Sequence, residues 1–280
     1  MKNRVCALLL LIALLLTMIA CGKKAPEAPA LDEEMAAVVA SGECGTNLMW
    51  TYDESGKLTI SATEYGAQME DYSIEHRPPW FDYHEEISTL EIENGVGSIG
   101  NLAFAVLTSL ESVTIPESIT SIGNTAFGTC VKLKDLTISN GVTSIGETAF
   151  NACSQLGSLI IPKSVIAIGE YAFSRCDSLK SVTLSKSVES IGYNAFIDCE
   201  SLENVVITDG ATSIREMSFY GCSALKCITI PASVTTIGQY AFGNCAALTD
   251  IYYEGTQEQW NAITIAEFNE LLATATIHTK

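Results

Sequence analysis

From residue 87 onward the chain repeats one short alternation of apolar and polar positions. In residues 110–132, Leu110, Val113 and Ile115 are apolar while Ser112 and Thr114 between them are polar. That period of two sends alternate side chains to opposite faces of a strand. Pro116 closes the strand, because proline has no N–H to give a ladder. Ile119 and Ile122 mark a second, shorter extended piece, and Gly123 follows where a turn with positive φ is expected. Ala126, Phe127, Cys130 and Leu133 then fall at helix-like spacing, predicting one short helical turn that carries Phe127 inward.

The pattern returns every 23 residues, and seven units fill residues 87–247 without an insertion. Ser-Ile-Gly begins at Ser98, Ser121, Ser144 and Ser190, with variants from Ala167, Ser213 and Thr236. Phe104, Phe127, Phe150, Phe173, Phe196, Phe219 and Phe242 form one column, and Leu107, Cys130, Cys153, Cys176, Cys199, Cys222 and Cys245 another. One such unit is too small to bury its own apolar side, so the units must stack. The expectation is a repeat solenoid, mainly β with short helical turns: right-handed, with parallel strands in register and end caps. Seven rungs at about 4.8 Å give a rod of roughly 35 Å.

The flanks depart from the repeat and read as caps over otherwise unpaired strand edges. Residues 41–86 form an N-terminal β cap: Leu48, Trp50 and Tyr52 alternate, Asp53 to Gly56 supply a turn, and Leu58 and Ile60 alternate again, a hairpin signal. Pro78 to Phe81 bring aromatics to the first rung. In the C-terminal cap, residues 248–280, Thr256 and Gln259 fit a capping box opening a short helix with Trp260. Ile263, Ile265, Leu271, Leu272 and Ile277 complete a lid. Trp50, Trp80 and Trp260 all fall in these caps, where core packing is the expected role.

Ahead of the caps, Lys2 and Arg4 precede an apolar run from Val5 to Ala20, short for a bilayer span and suited to a signal peptide over residues 1–20. Ala20 directly before Cys21 resembles a bacterial lipobox, with Met18 in place of the usual leucine. Lipidation at Cys21 follows from that resemblance, giving a membrane anchor whose acyl chains bury about 0.8 kcal/mol per methylene. Residues 21–40, rich in Pro, Ala and charge, read as a flexible tether.

Charge and residue chemistry narrow the function. Fifteen Lys and Arg stand against 33 Asp and Glu, a formal charge of −18, so nucleic acid is not an expected partner. Hydrophobic residues at 48% exclude disorder along the whole length. The six cysteines of the repeat column stand one rung apart, wider than a disulfide's Cβ spacing, and a linear file is not a tetrahedral zinc cage. They read as small apolar core residues. Cys227 falls on an outward strand position beside Lys226 as a candidate exposed thiol, and Cys44 has no assigned partner. No nucleophile elbow, phosphate loop, zinc helix or calcium loop occurs, and His84-Glu85-Glu86 reads as solvated charge. Neither an enzyme nor a cofactor is expected.

The stretch LKCITIPASVTTIGQYAFGNC, Leu225–Cys245, resembles the BspA-type leucine-rich repeat of bacterial surface proteins, and the resemblance covers residues 87–253, with both flanks also similar. It implies a cell-surface protein with an extracellular protein partner, in some members host matrix glycoproteins. The outward column runs from Glu91 through Thr114, Thr137, Ile160, Thr183, Val206 and Thr229 to Tyr252, and its last seven residues are the candidate protein-binding face. Ser112, Asp135, Ser158, Ser181, Asn204, Cys227 and Asp250 run beside it. Two accounts fit this ladder: strand propensity alone, or recognition of an extended protein surface. The sixth unit departs most, with Arg215, Met217 and Ser218, and reads as a kink, a contact point or drift. A glycan binder using cap aromatics and a passive envelope spacer are the rival functions.

Overall fold

The computed structural model describes residues 36–280. The expected signal peptide, the lipidation site at Cys21 and the tether over residues 21–35 lie outside the described residues. Residues 38–40, expected within the tether, are instead part of a strand. The strand Val38–Glu43 pairs antiparallel with Leu48–Asp53 through Ala40↔Tyr52 and Gly42↔Trp50. β-branched Val38 and Val39 suit an extended chain, and the hairpin edge supplies the backbone partners.

Leu48–Asp53 pairs antiparallel with Lys57–Ala62, the hairpin that the alternation implied. Lys57–Ala62 then pairs parallel with Thr89–Ile92, Leu58 against Leu90 and Ile60 against Ile92, and so hands the cap over to the solenoid. Beyond it the chain is a parallel β-solenoid. Longer strands stack on one side, Ser112–Ile115 on Asp135–Ile138, then Ser158–Ile160, Ser181–Leu184, Asn204–Ile207, Cys227–Ile230, Asp250–Tyr253 and Thr276–His278. Two-residue strands such as Ser121–Ile122 and Ser144–Ile145 stack on a second side. Partners are 23 residues apart, as Thr114↔Thr137 and Val206↔Thr229.

How completely each rung pairs with the one before varies along the stack. Where Ser139 or Thr208 follows the strand, four residue pairs form. Where Pro231 follows, three remain. Where Pro116 follows, only Thr89↔Ser112 pairs. At Pro162 the ladder breaks, and Asp135–Ile138 and Ser158–Ile160 fall in different sheets. Ser139 donates to the Ile115 carbonyl at 3.2 Å, a bond that proline cannot make, and the spread among the proline rungs has no single-residue explanation.

The third side differs from the expected helical turn. Thr125, Phe127 and Thr129 donate their N–H groups to Glu147, Ala149 and Asn151 of the next rung, while Gly128 and Cys130 bond three residues back. Thr125 and Thr129 adopt φ of 55° and 63°, so the segment is a pair of turns laddered to its neighbour. Helix-like spacing arose because these turns also bring every third or fourth side chain inward. Gly123 does not carry the positive φ expected of it. A Cβ there would lie 2.6 Å from the backbone of Gly100 and Asn101, and at Gly169 it would lie 2.5 Å from the Gly146 carbonyl carbon. Close rung-to-rung approach is what this column requires.

Inside, Phe127, Phe150, Phe173, Phe196, Phe219 and Phe242 stack in file with centroids 5.1–5.7 Å apart and planes within 6°. The cysteine file is buried and unbridged, each Sγ–H donating to a phenylalanine carbonyl, Cys130 to Phe104 at 3.2 Å and Cys245 to Phe219 at 3.1 Å. Both ends of the third-side ladder are closed by side chains. Trp80 Nε1–H donates to the Ala103 carbonyl at 2.9 Å, and Asn269 Oδ1 accepts from Phe242 N–H at 3.0 Å. The capping box is present, with Gln259 N–H on Thr256 Oγ1 and Thr256 N–H on Gln259 Oε1. Trp260, Ile263 and Leu272 are buried, whereas Ile265, expected in the lid, is exposed on an edge strand with no further rung to cover it.

Candidate binding face

Strand alternation points Thr114, Thr137, Ile160, Thr183 and Tyr252 into solvent, while Val113, Leu159, Val182, Val205 and Ile251 beneath them are buried. Val206 and Thr229 are half-buried. Register places the column in two files, Thr114 with Thr137, and Ile160 through Thr183, Val206 and Thr229 to Tyr252. All seven residues therefore share one side of the solenoid but not one continuous ladder. The break lies between Thr137 and Ile160. The strand after the break is followed by Pro162.

At the break the surface opens into a cleft of about 410 Å³ lined by Leu136, Thr137, Ile138, Asn140, Ser158, Ile160 and Pro162. Leu136 is half-buried where its counterparts Val113 and Leu159 are buried, and Ile160 is 74% exposed.

The far end of the face is built differently. Tyr252 stacks on the His278 ring at 4.6 Å with 13° between planes, because Tyr252↔His278 are register partners. His278 Nε2 lies 2.7 Å from Asp250 Oδ1, and Thr249 Oγ1–H donates to Asp250 Oδ2 at 2.8 Å. The His278 hydrogen bond first, then that from Thr249, holds the Asp250 carboxyl below its ordinary range. Cys227, expected exposed, is half-buried and donates to Asn204 Oδ1 at 2.8 Å. Burial first, then the nearby Asp250 charge, pushes this thiol up and keeps it protonated. Among the described residues no group of three His, Cys, Asp or Glu side chains converges as a metal cage.

The departure of the sixth unit is a break in the second-side ladder. Gly123, Gly146, Gly169, Gly192 and Gly238 donate their N–H groups to the isoleucine carbonyl of the preceding rung. Among the described residues, Arg215 has no such bond to Ile191, and Ser190–Ile191 and Ser213–Ile214 fall in different sheets. A Cβ in this column presses on the rung before it, so Arg215 wedges the ladder open. Its guanidinium rests over the Tyr193 ring at 5.0 Å.

The aromatics offered to a glycan are mostly not available. Trp50, Trp80 and Trp260 are 5%, 0% and 8% exposed, in keeping with core packing. Among the described residues no helix is long and apolar enough to cross a membrane.

The pattern of the BspA type leucine-rich repeat region, in six copies, matches residues 77–200 and 155–269. No curated protein matches the chain. Among solved structures, the leucine-rich repeat protein TpLRR of T. pallidum is 26% identical, with a TM-score of 0.53, covering 74% of this chain and 91% of that one. A leucine-rich cell surface protein of Faecalibacterium prausnitzii is 22% identical over 84% of this chain and 99% of that one, with a TM-score of 0.33. The pneumococcal vaccine antigen PcpA is 16% identical over 85% of this chain and 100% of that one, with a TM-score of 0.31.

Proposed function

The chain belongs to the BspA-type leucine-rich repeat family, and from that premise we propose that it is a lipid-anchored bacterial surface protein that binds extracellular proteins through its outward strand face. The observation that carries this reading is the outward strand column, Thr114 with Thr137 and then Ile160 to Tyr252, exposed or half-buried over a fully packed interior. A repeat rod offers recognition along its length because each rung adds one more side chain to the same surface. The residues in that file are small, β-branched or aromatic, a composition suited to close contact with little charge to desolvate.

Two experiments test the parts separately. The purified chain is applied to immobilised matrix glycoproteins, and Thr137, Thr183 and Val206 are changed one at a time to Lys. Lost binding with an unchanged melting temperature supports the reading. Unchanged binding in all three variants refutes it. For the anchor, Cys21→Ser is expected to move the protein from the membrane fraction to the soluble fraction, and retention on the membrane counts against lipidation.

A further inference from the structure

We propose that the cleft at the ladder break is the docking centre of this face, and that its occupant is an extended acidic segment of a partner protein with one apolar side chain seated in the cleft. The proposal rests on the reading of the strand face given above and adds the chemistry of the partner.

Three observations converge there. Asp135–Ile138 and Ser158–Ile160 lie on neighbouring rungs but in different sheets, joined beside the strands by Gly157 N–H on the Lys134 carbonyl at 3.3 Å, and the surface opens over this unpaired stretch. The walls are aliphatic, from Leu136, Ile138, Ile160 and Pro162, with no aromatic ring among the lining residues. Such walls suit a Leu- or Ile-sized side chain carried by an extended segment lying across the rungs.

The third observation is charge. The protein as a whole carries −18, yet residues 156–187 hold Lys163, Arg175, Lys180 and Lys186 against only Glu170 and Asp177. Lys163 and Lys186 share a column one rung apart, just past the C-terminal ends of the strands, and Lys180 lies just before Ser181 at the opposite end. All three are exposed. Among the described residues none of the three has a carboxylate partner, whereas Lys57, Lys134 and Lys226 are paired with Glu91, Glu111 and Glu203. Glu170 and Asp177 belong to the turn side of the rung. The flanking carboxylates on the strand side are Asp135 one rung earlier, and Glu203 and Asp209 one rung later; Glu203, near Lys180, is paired with Lys226. Unpaired lysines at both ends of an apolar cleft, on an otherwise acidic molecule, complement carboxylates flanking an apolar anchor.

The test uses the full chain and a fluorescein-labelled peptide of alternating glutamate and leucine, read by anisotropy. Peptides of alternating lysine and leucine, and of alternating glutamate and serine, serve as controls, with heparin as a polyanion without apolar side chains. The glutamate–leucine peptide is expected to bind tightest and to weaken as salt is raised. Ile160→Asp and the Lys163→Glu/Lys186→Glu pair are each expected to weaken it by about tenfold or more, while Asn261→Ala, exposed on the C-terminal cap, leaves it unchanged. These side chains are exposed, and circular dichroism checks that each variant folds. Equal binding of the lysine–leucine peptide, no effect of the variants, or heparin binding that ignores Ile160→Asp overturns the proposal. If the peptide fails while Thr183→Lys still abolishes binding to a matrix glycoprotein, only the cleft assignment falls. If both fail, the strand-face reading falls with it.

Discussion

The ring of Trp80 stacks on Phe104 with centroids 5.5 Å apart and 19° between planes. Trp80 thereby adds a member to the phenylalanine file, and its Nε1–H takes the Ala103 carbonyl at 2.9 Å. In the next rung the equivalent acceptor, the Ala126 carbonyl, is taken by the backbone N–H of Phe104 at 2.8 Å. One cap side chain thus supplies both the packing surface and the hydrogen bond of a missing rung. Trp80→Phe is expected to keep most of the stack and lose the bond, at about 1–3 kcal/mol for a carbonyl left unsatisfied. Trp80→Ala is expected to lose about 3–5 kcal/mol. Urea unfolding of the two variants measures the difference: no loss in Trp80→Phe would mean that the hydrogen bond carries no weight, and equal losses that the ring stack carries none.

Asn269 does the same work at the other end. It accepts from Phe242 N–H and donates to the carbonyls of Gly238 and Ala266, each at 2.9–3.0 Å. Asn269→Leu keeps the volume and strands these groups, so a loss of about 1–3 kcal/mol is expected. Hydrogen exchange should quicken first at the Phe242 amide, because rungs in a solenoid lean on their nearest neighbours.

Arg215 offers a test of the wedge. Arg215→Gly restores room for the bond to Ile191, worth about 1 kcal/mol net, but glycine loses about 0.5–1 kcal/mol to backbone entropy. The two nearly cancel, so overall stability should change little while the amide of residue 215 becomes strongly protected from exchange. The opposite change, Gly169→Ala, places a Cβ against the Gly146 backbone and is expected to cost about 1–3 kcal/mol. A protected amide in the wild type would refute the wedge.

The thiol file predicts alkaline sensitivity. Burial pushes the Cys130 and Cys245 thiols up to about 12, from an ordinary 9.0. A raised acid pKa in the folded state means that the native protein holds protons that the unfolded chain releases. The stabilisation is complete below pH 9 and is lost as pH rises toward the folded values, at about 1.4 kcal/mol per thiol for each pH unit. Melting temperature should therefore fall steeply between pH 9 and 11, and less so in a Cys130→Ala/Cys245→Ala variant compared with its own value at neutral pH. A flat profile would contradict it.

Much of the architecture was legible because a 23-residue period constrains every rung at once. The inward Val and Ile, the phenylalanine and cysteine files, the hairpin at Trp50 and Ile60 and the capping box at Thr256 and Gln259 all follow from alternation and spacing. Side-chain type was enough there, since an apolar residue repeated in register can only be buried against its own copy. The turns were less legible. Helices and paired turns bring similar positions inward, so spacing alone could not separate them for Ala126, Phe127 and Cys130.

What the amino-acid order by itself determined is the stack and which residues line it: recurrence at one fixed interval leaves no other way to bury Phe104 through Phe242. What only the tertiary structure decided is where that regularity fails. One ladder lapses at the rung of Pro162 and the other at Arg215, although other prolines in the same column leave their rungs joined. A missing N–H or an added Cβ acts on the neighbouring rung rather than on its own segment. Its consequence exists only once the rungs lie against each other.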